Sequence, residues 1–244
     1  EQSAVIYRIL SKASEEYADW LHHNGFQLES GRRFKLFTFS RLKIEKRQVL
    51  PQNERIRILS DSVEWQISFL PERSLKMIEY KSVSLANQVF EIGDRQSTVR
   101  FIVKNIEVLP SPAFTQEMEF TTMSPICLRM KCENGGSDYL SPVSPHASSA
   151  ILTGLSRRYE AFYGKPYAGE NIFDFSVLNE PKSVLVKIKS DTPAQTKVRG
   201  YMCRFRMKAP LELMKIMYES GIGEECSQGF GCVKETDIKR VIER

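Results

Sequence analysis

Helix, strand, strand, helix, strand: this order reads twice along the 244 residues, with a proline-rich break at Leu109-Pro110-Ser111-Pro112 between the two passes. Together with strands that alternate apolar and polar side chains, it predicts an α+β fold of two tandem ferredoxin-like βαββαβ domains with antiparallel sheets. The expected boundaries are 1–110 and 111–244. Apolar residues at 41 % and charged residues at 27 % supply enough material for packed cores and too much for a disordered chain.

Val5, Ile6, Ile9, Ala13, Tyr17 and Leu21 recur at helical spacing, so one helix is expected over 3–23, with Ser3 as N-cap and Gly25 past its end. Residues 34–42 read as a strand with Phe34, Leu36, Thr38, Ser40 and Leu42 on one face. Strands at 54–60 and 63–70 are joined by a turn at Ser60-Asp61-Ser62. Pro71 opens a helix to about Gln88, and a strand at 97–108 leads to the linker. In the second half, strands at 115–121 and 124–131 precede the turn Asn134-Gly135-Gly136, and a helix covers 145–163. Strands at 173–178, 182–190 and 197–207, a helix from Pro210 to Ser220, a glycine-rich loop and a strand at 229–235 complete the chain. The first half enters a helix directly from Glu1, so its opening strand is expected to lie in residues before Glu1; the second half is expected to open with 124–131.

No apolar run approaches the ~18–20 residues that cross a bilayer, and the N-terminus lacks the pattern of a signal peptide. Five cysteines (127, 132, 203, 226, 232) form no C-x-x-C pair, which supports neither a zinc site nor a disulfide framework. A reducing cytoplasm is the expected home, with no cofactor and no membrane partner. The net charge of +5 is concentrated. Arg32, Arg33, Lys35, Arg41, Lys43, Lys46 and Arg47 face only Glu45 in their segment; Lys197, Arg199, Arg204, Arg206 and Lys208 face no acid in theirs. Two such strips point to a polyanion, although either alone reads equally well as solubilising charge. In the second strip Tyr201, Cys203, Phe205 and Met207 alternate with Arg204, Arg206 and Lys208, as in a half-buried sheet with a basic outer face.

The sharpest local motif is Gly221-Ile222-Gly223-Glu224-Glu225-Cys226-Ser227-Gln228-Gly229-Phe230-Gly231. Glycines permit positive φ and close backbone approach, and successive free N–H groups can cradle a phosphate. The same spacing fits a helix C-cap followed by a bulge or hairpin. A dinucleotide fingerprint needs strand, loop, helix and a third glycine where Cys226 stands; the order here is helix, loop, strand, and there is no G-K-[ST]. Glu224 and Glu225 have no further acid or histidine at ligand spacing, so they read as solvated loop residues.

With the glycine loop, Ile6-Tyr7-Arg8, Trp20-Leu21-His22, residues 34–40, Thr121-Thr122-Met123-Ser124-Pro125-Ile126 and Gly200-Tyr201 fall in an order that resembles the CRISPR-associated endoribonucleases of the RAMP superfamily, which process precursor RNA at its repeats. The resemblance implies tandem RRM-related ferredoxin-like domains and metal-independent cleavage, in which the ribose 2′-OH attacks the adjacent phosphate to leave a 2′,3′-cyclic phosphate and a 5′-OH. It places the catalytic histidine on His22, its tyrosine on Tyr7 and its lysine on Lys35. It implies RNA binding by Gly221, Gly223, Gly229, Phe230 and Gly231, by Arg204, Arg206 and Lys208, and by Arg32 and Arg33. The partners it implies are CRISPR repeat RNA and the CRISPR effector complex, with the protein a monomer or homodimer. Such chemistry needs a base, an acid and positive charge near the phosphate, and histidine suits either proton-transfer role. On one straight helix Tyr7 and His22 fall within ~60° of the same face yet over ~20 Å apart along the axis; the resemblance implies a helix broken into two in this region, with Ser14 or Asp19 at the break. His23 is the fallback, His146 reads as a helix start, Tyr7 fits an ordinary core aromatic equally, and Lys35 fits a phosphate contact. Two other readings stand beside the nuclease: a non-catalytic repeat-RNA-binding protein of the same superfamily, and a small-molecule enzyme, for which no cofactor motif exists.

Overall fold

The opening stretch, expected as one helix, is two: α1 (Gln2–Ala13) and α2 (Glu15–His23), separated at Ser14. After them come β1 (Phe26–Gln27), β2 (Arg33–Phe34), β3 (Phe37–Phe39), β4 (Arg47–Leu50), β5 (Arg55–Ile58), β6 (Ile67–Phe69), α3 (Glu72–Leu85), β7 (Val89–Gly93) and β8 (Thr98–Ile102). The structure is a computed structural model that describes residues 1–53, 55–94, 96–131, 137–170, 172–189 and 193–236.

Three further expectations for this half change. The strand expected over 34–42 is interrupted at the buried Leu36, whose φ of 53° is left-handed, so β2 pairs with β1 and β3 pairs with β6. All three residues of β3 are buried, because one side packs on α1 and α2 and the other meets the glycine loop. The strands near 54–60 and 63–70 are not hairpin partners: β5 turns back onto β4 across Pro51, while β6 is taken up by β3. β7 is a strand that no local pattern announced. It forms a hairpin with β8 because Asp94 Oδ1 accepts the Gln96 and Ser97 N–H groups and closes the turn locally.

The second half contains β9 (Glu117–Thr122), β10 (Arg129–Lys131), β11 (Ser137–Tyr139), α4 (Ala147–Tyr163), β12 (Asp174–Val177), β13 (Lys182–Ile188), β14 (Thr196–Met202), β15 (Arg204–Lys208), α5 (Leu211–Ser220) and β16 (Val233–Glu235). Setting aside the hairpins β10–β11 and β13–β14, what remains is β9-α4-β12-β15-α5-β16, a βαββαβ unit. Its antiparallel sheet has the spatial order β12-β15-β9-β16, the ferredoxin-like arrangement. The unit opens with β9 and not with 124–131, where Ile126 makes only an isolated bridge to Tyr201. The Asn134-Gly135-Gly136 turn lies outside the described residues. The strand expected over 197–207 is two, since at Cys203 the backbone leaves one ladder for the other: its N–H donates to Thr122 Oγ1 and its carbonyl accepts from the Thr122 N–H.

The main core fills the second half with Phe120, Phe205, Leu155, Leu213 and Met217, and takes in Leu36 and Leu70 from the first. A second cluster joins Ile6, Leu10, Tyr17, Leu21, Phe37 and Phe69. Among the described residues no helix is long and apolar enough to cross a membrane.

α5 packs on β3 and β6, and Glu219 stands in its last turn. Burial pushes its pKa up to about 7; Lys215, 4.0 Å away, opposes the shift and Glu72 adds to it. The native state therefore keeps a proton that the unfolded chain gives up near the ordinary value of 4.5, so stability falls as pH rises from there to about 7. Glu219→Gln is expected to remove that fall: its urea midpoint should exceed that of the wild-type protein at pH 8 and match it near pH 4.

Candidate active site

At Ser14 the backbone turns extended (φ −159°, ψ 109°). Its N–H closes α1 on the Leu10 carbonyl, and its hydroxyl accepts the Tyr17 N–H at 3.2 Å as the N-cap of α2. Glu15 and Glu16 in the first turn of α2 and Lys12 in the last turn of α1 suit the two helix dipoles. The break lets α2 fold back along α1. The rings of Tyr7 and His22 meet edge to face, their centroids 4.8 Å apart and their planes at 84°. The obstacle posed by a straight helix is thus absent.

His22 is exposed, whereas Tyr7 is half-buried against Phe37, 5.7 Å between ring centroids. Burial raises the phenol pKa well above its usual value, so Tyr7 stays protonated through the neutral range. The His23 ring stacks edge-on to His22 at 4.7 Å, and its Nδ1 donates to the Asp19 carbonyl.

Lys35 stands at the end of α2, where its Nζ donates to the carbonyls of Leu21 (2.6 Å) and His22 (2.5 Å). Arg33 donates to the next carbonyl, that of His23, at 2.8 Å. Two cations thus satisfy the open carbonyls at the negative end of the helix dipole. An ammonium has three N–H donors, so one of Lys35's remains for a ligand. Burial, and then the neighbouring Arg33, lower the Lys35 pKa. The strand comes this close because residue 25 is glycine: a Cβ there would lie 2.6 Å from the Phe34 carbonyl oxygen.

The glycine loop packs against the same elements, with α1 and β3 both touching its 3-10 turn at Cys226–Gln228. Thr38 Oγ1 donates to the Phe230 carbonyl at 2.8 Å. Its four glycines all have positive φ. At Gly223 a Cβ would stand 2.4 Å from the Cys127 carbonyl oxygen, and at Gly229 it would stand 2.7 Å from the Phe39 ring. The N–H groups of Ile222, Glu224, Gly229 and Gly231 are already bonded to Gly231, Cys127, Cys226 and Pro125 carbonyls. These four are spent inside the protein, contrary to the expectation of a loop with free N–H groups for a phosphate. Gly221, Gly223, Phe230 and Gly231 are buried, and the Phe230 ring, 0 % exposed, offers no face to a base. Gly229 stays partly open.

Two arginines hold the loop that the sequence reading did not single out. Arg158 on α4, 4 % exposed, donates to the carbonyls of Gly221 and Gly223. Its place at helical spacing behind Ile151 and Leu155, on an apolar face, was the available signal. Arg129 binds both loop acids, Glu224 at 2.7 Å and Glu225 at 2.6 Å. Arg32 reaches the same Glu224 at 3.8 Å and lies over the Phe34 ring.

The second basic strip is paired from the adjacent strand. Arg206 bonds Glu119 at 2.7 Å and lies 3.7 Å from Glu117; Arg204 lies 3.7 Å from Glu119. Lys208 is exposed, in register with Glu117. The acids on β9 are remote in sequence, so the strip itself gave no sign that its charge was half cancelled. Among the described residues no three His, Cys, Asp or Glu side chains gather to hold a metal.

Residues 109–235, just over half the chain, match the family described as CRISPR associated protein Cas6, C-terminal. The chain belongs to the Cas6 family. It is 28 % identical over 246 residues to CRISPR-associated endoribonuclease Cas6 1 of Methanocaldococcus jannaschii, covering 97 % of this chain and 85 % of the relative. It is 30 % identical over 202 residues to an endoribonuclease-like Cas6 protein of Pyrococcus furiosus, covering 81 % and 78 %. A solved structure described as a RAMP protein binding different RNA substrates superposes with a TM-score of 0.76 at 26 % identity, over 97 % of this chain and 90 % of the other. Cas6 and RAMP folds of this kind are tandem ferredoxin-like, and this chain shares them.

Arg158→Leu leaves two buried carbonyls without a donor, at about 1–3 kcal/mol each; denaturant unfolding should show a loss of about 2–5 kcal/mol. Ser14→Ala removes the N-cap of α2 and should cost about 1 kcal/mol, read by the same measurement.

Proposed function

We propose that this Cas6-family chain is an endoribonuclease that cuts CRISPR precursor RNA within its repeats, by attack of the ribose 2′-OH on the neighbouring phosphate. The products are a 2′,3′-cyclic phosphate and a 5′-OH. The reading is carried by one observation, the Tyr7–His22 apposition that the break at Ser14 creates. The exposed imidazole of His22 exchanges the proton of the 2′-OH or of the departing 5′ oxygen. The phenol of Tyr7, kept protonated by burial, donates a hydrogen bond and does not act as a base. Lys35 fixes the helix end beneath His22 and turns its remaining N–H toward the phosphate, where charge develops. RNA contacts fall to Arg32, Arg33, Lys208 and the open rim at Gly229, with Arg204 and Arg206 sharing their charge with Glu117 and Glu119. Gly221, Gly223, Phe230 and Gly231 shape the loop from beneath.

The domains proposed are 1–110 and 111–244. Besides repeat RNA, the partner proposed is the CRISPR effector complex, with the protein a monomer or homodimer acting in the cytoplasm. One observation favours the non-catalytic, RNA-binding alternative: Lys35 spends two of three donors on helix carbonyls.

Labelled repeat RNA incubated with the protein in EDTA separates the readings. Wild-type protein is expected to cut it. His22→Ala should lose at least about 10²-fold in rate, the usual scale of one general acid–base group, while binding a 2′-deoxy substrate within about twofold. Absence of cutting by a wild-type protein that binds RNA would establish the binder and sink the nuclease.

A further inference from the structure

On the flank of α2 away from Tyr7, an open cavity of about 490 Å³ lies at the seam of the two halves. Its walls are Tyr17 and Trp20 of α2, Phe26 of β1, Phe162 of α4, and Arg73 at the start of α3, with the Glu16 carboxylate at its rim. Trp20 is 38 % exposed, although two aromatic rings, Tyr17 and Phe26, pack on its indole. It stacks on Tyr17 (centroids 5.7 Å apart, planes at 25°) and meets Phe26 edge-on at 5.2 Å; Phe26 in turn touches Phe162 at 5.5 Å. The Arg73 guanidinium lies over the Tyr17 ring, 4.8 Å from its centroid. Tyr17 and Phe26 are locked from behind, the first through its hydroxyl to Ser74 at 2.6 Å. The platform is preorganised, and its free surface is the indole face.

We infer that this cavity is a nucleobase-binding subsite, in which one unpaired base of the RNA stacks on Trp20 beside the Arg73 guanidinium. The inference rests on the proposed RNA reading and adds to it a place where a base is held. Three features favour a nucleotide over an apolar peptide. The volume falls within the ~300–1,000 Å³ of ordinary small-ligand sites. The rim carries a cation over an aromatic face and a carboxylate able to accept from an exocyclic amino group, the pairing that phosphate and base edges ask for; the other rim acid, Glu72, is already paired with Lys76 at 3.2 Å. Position supplies the third. Trp20 and His22 are two residues apart on one helix, so their side chains leave it on nearly opposite sides, about one helix diameter (~10 Å) apart. Between them the helix end is covered by Lys35 and Arg33. A strand crossing that cationic end would bring a phosphate to His22 and a base one or two nucleotides away to Trp20.

The test uses a full-length repeat RNA made uncleavable by 2′-deoxy substitution, with 2-aminopurine placed singly at each position. In the wild-type complex one position should be strongly quenched. Trp20→Leu, which keeps apolar bulk and loses the π face, should abolish that quench and weaken binding about tenfold, within the range of stacking on one aromatic ring. Trp20→Phe should restore both. Should every position respond alike in wild type and Trp20→Leu at equal affinity, the subsite is refuted while the RNA reading stands. If wild type fails to bind the RNA at all, the RNA reading falls and the subsite with it. Equal weakening by Leu and Phe, with no position losing its quench, would mark the cavity as the seat of something other than a base, a peptide of a protein partner included.

Discussion

The carbonyls of Gly221 and Gly223 turn inward onto the buried guanidinium of Arg158, and the arrangement of the loop depends on that contact. Burying a cation is costly unless its donors are used. Among the described residues no carboxylate reaches Arg158, so backbone dipoles of the loop stand in for one. With these carbonyls drawn in, Glu224 N–H meets Cys127 and Gly231 N–H meets Pro125, and the loop becomes a strap across the second half. Its far side takes the hydroxyl of Thr38 and the ring of Phe39 from the first half. The glycines are required for this closeness, because a Cβ at Gly223 or Gly229 would occupy space already filled.

The strap in turn backs the helix pair. β3 lies between the loop on one side and α1 and α2 on the other, which is why all three of its residues are buried. From that base, Ser14 reverses the chain and Lys35 ties the end of α2. The imidazole of His22 is therefore placed by backbone hydrogen bonds and ring packing and not by a charge partner. Its surroundings leave it open to solvent and to a ligand while Tyr7 is half-buried beside it.

Charge follows the same logic of pairing across long sequence distances. Each basic strip looks unopposed along the chain, yet Glu119 answers Arg204 and Arg206, and Glu224 answers Arg32. Glu224 and Glu225 of the glycine loop, expected as solvated loop residues, are instead both held by Arg129.

Much was legible from local pattern. Prolines at 71, 145 and 210 located the starts of α3, α4 and α5 within a few residues, and β9, β12 and β13 fell close to their expected stretches. His22, Tyr7 and Lys35 came from the resemblance to the RAMP endoribonucleases and not from spacing, which on one straight helix holds Tyr7 and His22 far apart. What local pattern lacks is the partner. Whether 54–60 pairs forward or back, where a long alternating stretch changes ladders at Cys203, and which acids face Arg206 depend on strands far away in sequence. Amino-acid order by itself determined the α+β class and the presence of a glycine-built turn, because propensity and periodicity are properties of neighbouring residues. Only tertiary structure decided that the glycines serve close packing, that Arg158 organises them, and that Tyr7 and His22 meet, because each of these is a contact between surfaces the chain brings together by folding.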